Sequence, residues 1–125
     1  MAGSLRPEVD NNDQLNQVLP WLLDIEQLYA VYDCKGTGTG FIAITDKRLM
    51  FYDREFLRKR KALTSVPFSK ITAVSSVDEG GIFRSTSELA VQVGSHEYEL
   101  EFRGGDKAQR AYHRIMFELL QGEVT

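Results

Sequence analysis

A chain of 125 residues suits one domain with a continuous core, and 42% apolar against 26% charged residues argues against intrinsic disorder. The net charge of -3 argues against a dedicated nucleic-acid binder, which shows a basic excess over the whole domain, so no nucleic-acid partner is expected. That total hides an asymmetry: Lys47, Arg48, Arg54, Arg58, Lys59, Arg60 and Lys61 against Asp53 and Glu55 give residues 47–61 a charge of +5, leaving -8 for the rest.

Residues 1–12 are polar and read as a flexible tail. Asn12 or Asp13 is then expected to cap a short helix over 13–23, carrying Leu15, Val18, Leu19, Leu22 and Leu23. Pro20 removes a donor inside that stretch, so a break or restart is expected near Val18–Leu19. Trp21, Leu22 and Leu23 read as a plug against the core. From about residue 26 the period changes to that of strands. "QLYAVYDC", "FIAITD", "RLMFYD", "ALTSVPF", "KITAVSSV", "SELAVQV" and "HEYELEF" give about seven antiparallel strands over 26–103, with turns at Asp46–Lys47, at "DEGG" (78–81) and at Gly94–Ser95. In the last run Tyr98, Leu100 and Phe102 alternate with Glu97, Glu99 and Glu101, so one face is buried and the other is an acidic ladder.

A helix over 106–121 closes the chain. Asp106 and Gln109 have capping-box spacing, and Ala108, Ala111, Tyr112, Ile115, Met116 and Leu119 recur at helical spacing before Gly122, placed for a C-terminal cap. The expected class is mainly β with one C-terminal helix over the open end of a small barrel or two packed sheets. The expected core is Tyr29, Val31, Ile42, Ile44, Leu49, Phe51, Ile71, Val74, Leu89, Val91, Leu100, Phe102, Ile115 and Leu119.

Seven strands followed by a helix resemble the pleckstrin-homology (PH) superfold. The phrase "GFIAITDKRLMFYD" resembles the "lTdkRLifyd"-like hairpin of bacterial PH-like domains and of the related GRAM domains, and "SVPFSKITAV" (65–74) resembles the "ipysdIts"-like segment that follows it. The resemblance covers residues 24–121 and implies a PH-like split barrel whose job is binding.

Catalytic and metal chemistry find little support. His96 and His113 have no neighbouring cysteine and no HxxxH or CxxC pattern, so no metal and no cofactor are expected. Cys34 is the only cysteine, which excludes an intrachain disulfide and reads as a small packed hydrophobe. "KGTGTG" lacks the ending of a Walker loop, and no helix follows it to receive a phosphate. The expectation is a non-enzymatic, cytoplasmic protein with no spanning helix, meeting any membrane only peripherally, at the inner face.

Phosphoinositide-binding PH domains carry spaced basic residues in the first hairpin, where this chain has only Lys35. Its positive charge sits instead in "DREFLRKRK". Anion or membrane contact would therefore fall to Arg54, Arg58, Lys59, Arg60 and Lys61, with Phe56 and Leu57 as apolar anchors and Lys35, Lys47 and Arg48 at the periphery. Five such charges give at most about 5 kcal/mol at an anionic bilayer, before screening. The preferred expectation is binding to a protein partner or to further copies of the chain, with anionic-membrane binding as the alternative.

Overall fold

A computed structural model of the chain describes residues 6–35, 39–53, 62–77 and 86–124. The alternating runs become strands β2 (Leu28–Lys35), β3 (Thr39–Thr45), β4 (Arg48–Asp53), β5 (Ala62–Pro67), β6 (Ala73–Val77), β7 (Thr86–Val93) and β8 (His96–Arg103). Helix α1 (Asn12–Val18) precedes them and helix α2 (Lys107–Val124) follows. The expected "DEGG" turn lies outside the described residues.

The strand order is β5-β4-β3-β2-β8-β7-β6, every neighbour antiparallel. Strand β2 serves both halves, pairing with β3 from Leu28 to Asp33 and with β8 only at Cys34 and Lys35. Among the described residues no pairing joins β5 to β6, so the sheet is split rather than closed. Phe51 of β4 and Tyr98 of β8 stack across the two halves with ring centroids 4.0 Å apart.

Helix α2 covers the inner face. Ala108, Ala111 and Ile115 are buried against that face, with Tyr112 and Leu119 at its margin. Small residues at two of those positions allow close approach. Gly104 turns β8 toward α2 at φ 114°, a conformation that favours glycine. Beyond the spacing of Asp106 and Gln109, Ser87 of β7 satisfies the entry: its Oγ accepts from the Ala108 amide (2.9 Å) and donates to the Gly104 carbonyl (2.8 Å). Gly122 does not end α2, which runs on to Val124.

Most of the expected core is buried in this inner cluster, with Val74 and Leu119 partly buried at its edge and Tyr29 half-buried. Val31 belongs elsewhere. It joins Val18, Leu28, Phe41, Ala43 and Met50 in a second cluster on the other face of the first half-sheet. Every residue from Gly40 to Thr45 is buried because both faces of β3 are covered, which is why "FIAIT" reads as a continuous apolar run.

Three expectations about the N-terminus are corrected. Asn11, not Asn12 or Asp13, caps α1: it is extended (φ -145°, ψ 119°) and its side chain accepts from the Asp13 amide at 2.8 Å. Residues 8 and 9, expected in a flexible tail, form strand β1 (Glu8–Val9), parallel to β2 with Glu8 opposite Ala30 and Val9 opposite Val31. The break at Pro20 is present as a 3-10 turn over Leu19–Trp21, but Trp21 and Leu23 do not plug the core; they are 63% and 57% exposed. After the turn the chain is extended at Leu22, which reaches the outer cluster, and a second turn follows, closed by the Glu26 amide on the Leu23 carbonyl at 3.0 Å.

Candidate functional site

The signature hairpin is first of all a latch. The Thr45 hydroxyl accepts from the amides of Lys47 and Arg48 (both 3.0 Å), closing the turn between β3 and β4. The same hydroxyl lies 2.7 Å from Glu26 Oε2, to which it donates. Arg48 grips Glu26 with two nitrogens, Nε on Oε2 and an Nη on Oε1, both at 2.8 Å. Its remaining donors reach the Trp21 carbonyl and, at 3.0 Å, Ser65 Oγ. The Leu23 amide completes the shell of Glu26 at 3.0 Å. Asp46 ties down the next residue, accepting from the Gln27 amide at 2.9 Å while its own amide donates to the Gln27 carbonyl at 3.0 Å.

The Glu26 side chain is fully buried and that of Arg48 is 19% exposed. Burial alone pushes the Glu26 carboxyl up; hydrogen bonds from Arg48, Leu23 and Thr45, with the charge of Arg48, more than offset it and hold the carboxyl down to about 2. Residues 21–27 are thus fixed to the barrel by polar contacts at both ends, with Leu22 turned to the outer cluster and Trp21, Leu23 and Ile25 facing outward.

Leu19, Trp21, Leu23 and Ile25 are 47%, 63%, 57% and 74% exposed. The C-terminal half of α2 adds Phe117 and Leu120, about half exposed. Arg114 of α2 lies against the start of β2: its guanidinium is 3.8 Å from the centroid of Tyr29 and 5.5 Å from that of Phe117.

The sequence-derived anion site divides. Arg54, Phe56, Leu57, Arg58, Lys59, Arg60 and Lys61 lie outside the described residues, whose nearest neighbours on either side, Asp53 and Ala62, pair with each other. Lys35 ends β2 opposite Glu101, at the far end of the β3–β4 hairpin from Lys47 and Arg48. Lys47 is half exposed and paired with Asp46 at 3.4 Å. Arg48 is occupied by Glu26. The three peripheral residues are therefore not brought together. What the sequence reading missed was the exposed loop, whose signal is the run of apolar residues Trp21, Leu23 and Ile25 at spacing two directly after a helix-breaking proline.

Elsewhere, His96 and His113 are exposed, and Cys34 is buried with its thiol 3.9 Å from the Tyr32 carbonyl. Among the described residues no group of three or more His, Cys, Asp or Glu could hold a metal ion, and no helix is long and apolar enough to cross a membrane.

The sequence profile of the family described as "Bacterial PH domain" matches residues 5–118. The chain belongs to that family. This bacterial PH domain is 27% identical over 81 residues to the uncharacterized protein YozO of Bacillus subtilis, a match spanning 65% of this chain and 68% of that protein. The solved pleckstrin homology domain from Shewanella amazonensis superimposes with a TM-score of 0.63 at 21% identity, covering 91% of both chains. A DUF1696 family protein with a pleckstrin-homology domain from Shewanella loihica gives a TM-score of 0.61 at 22% identity, covering 90% of this chain and 96% of that one. At that identity the two structures establish the fold. Domains of the matched family are typically non-catalytic binding modules.

Proposed function

We propose that this bacterial PH domain is a cytoplasmic, non-catalytic module that binds a protein surface, either a partner or a further copy of itself, through the apolar loop Leu19–Ile25. The observation that carries this reading is the exposure of Trp21, Leu23 and Ile25 on a segment whose backbone the buried Glu26–Arg48 pair fixes. A rigid apolar display loses little conformational freedom on binding. Full burial of side chains such as Leu23 and Ile25 is worth roughly 1.5–3 kcal/mol each. The loop's own charge is Asp24, which disfavours insertion into an anionic bilayer and leaves a protein as the better-supported partner. The membrane alternative rests on the sequence charge of residues 54–61, and two of its peripheral cations are engaged in ion pairs.

Site-specific photocrosslinking in cells tests the proposal. A photoreactive residue at Ile25 should yield discrete protein adducts, whose mass separates a partner from a second copy, whereas one at Glu99 on the β8 ladder should not. Lipid adducts alone, or no adducts at Ile25, would contradict it.

A further inference from the structure

A second surface binds part of the chain itself. Strand β2 meets β8 only at Cys34 and Lys35, so the β2 edge before them, around Ala30–Asp33, is free of β8, and β1 fills it. Glu8 and Asp10 project to the same side, as residues two apart in a strand do. Glu8 accepts from the Tyr32 hydroxyl at 2.6 Å and from Arg110 of α2 at 2.6 Å. Asp10 pairs with Lys107 of α2 and accepts from the Asp33 amide at 3.0 Å, while its own amide donates to the Val31 carbonyl at 3.1 Å. Val9, between them, packs against the outer apolar cluster.

This is the chemistry by which a sheet edge captures an extended segment: main-chain bonds hold it and side-chain sites select it. The hold is slight. Two ladder pairs fix β1, and Glu8 and Arg110 keep 43% and 40% of their side-chain exposure, where water and salt weaken an ion pair. The fold does not end there, because Asn11 caps α1 independently and Leu15 and Val18 anchor that helix. Arg103 is not part of the site, being paired with Asp33 at 2.8 Å.

We infer that the groove between β2 and the first turn of α2, lined by Tyr32, Lys107 and Arg110, is a docking site for an extended protein segment of acid–apolar–acid pattern, which residues 8–10 occupy as an internal pseudo-ligand. The occupant is defined by what fits now: a carboxylate for Arg110 and Tyr32, an aliphatic side chain for the outer cluster, and a second carboxylate for Lys107. A partner carrying that pattern displaces the strap, which swings away at Asn11.

The test uses the full chain and a fluorescein-labelled peptide of sequence RPEVDNN, copied from residues 6–12. Fluorescence anisotropy should show binding at least about tenfold tighter to the Glu8→Gln/Asp10→Asn variant than to the unaltered protein, because the strap then competes less. That binding should weaken by about tenfold or more between about 50 and 500 mM salt and vanish on adding Lys107→Glu. A peptide with lysine in place of both acids should not bind. If the double variant is disordered by circular dichroism, Val9→Ser serves instead. A folded variant that binds no tighter than the unaltered protein overturns the inference. So does failure of both variants to fold, since the strap would then be an integral part of the core.

Discussion

Two arginine–glutamate pairs hold N-terminal segments of the chain against the sheet, and they differ in how much water reaches them. Glu26 is sealed under Arg48, with a hydroxyl and a backbone amide completing its shell. Glu8 meets Arg110 at the surface, both side chains about four-tenths exposed. The same residue types therefore do different work. Breaking the sealed pair strands a charge in a low-dielectric site, whereas breaking the open one returns both charges to water. The first is suited to hold a display loop rigid and the second to hold a strap that lets go.

The largest effect that separates them is expected from Arg48→Ala. Leaving Glu26 buried without its partner should cost about 3–5 kcal/mol, read as a lower urea midpoint. A loss below about 1 kcal/mol would erase the distinction between the pairs. Acid should act on the same latch. The Glu26 carboxyl titrates near 2 in the folded protein against 4.5 unfolded, so its contribution is complete above the unfolded value and lost as pH falls toward about 2. That window is worth at most about 3 kcal/mol, and Glu26→Gln should remove the corresponding slope from stability measured between pH 4.5 and 2.

Those predictions concern contacts that the sequence conceals. The strands were legible because alternation in "HEYELEF" and "SELAVQV" reports one buried face, and α2 because its apolar residues recur at helical spacing. The outer cluster was not, since α1, β1 and Leu22 cover the first half-sheet from segments distant in sequence. Nor was the latch, for Arg48 and Glu26 are 22 residues apart and nothing local to "TDKR" says that its arginine is neutralised. Reading Arg48 as a peripheral anion contact followed from counting charges along the chain, which is blind to pairing across it. Trp21 misled for the opposite reason: apolar character suggested burial, while Pro20 and the extended backbone beyond it turned the ring outward.

The open pair should give a smaller effect. Arg110→Ala is expected to cost about 0.2–1 kcal/mol at low salt, and less at about 0.5 M salt. A loss of several kcal/mol would make the strap as fixed as the latch. A third pair, Arg114 and Glu118, sharpens the comparison. The Glu118 side chain is 8% exposed, yet Arg114 stands 3.6 Å away and one carboxylate oxygen has no hydrogen-bond partner. Burial raises the Glu118 carboxyl above its ordinary value, more than Arg114 lowers it. The sign is opposite to that of Glu26: the folded state favours the protonated form, so ionisation costs stability as pH rises above the unfolded value. Glu118→Gln should therefore raise Tm slightly at pH 7, with the gain shrinking as pH falls toward 4.5. An unchanged or lower Tm would show Arg114 to be the stronger influence.

Native-state hydrogen exchange, followed amide by amide at low and high salt, tests the contrast between latch and strap most directly. The amides of Asp10 and Asp33, bonded across the strap, should exchange through a local opening that salt accelerates. Those of Leu23 and Gln27, bonded within the latch, should exchange only with global unfolding. Exchange of all four at one common, salt-insensitive free energy would contradict the account.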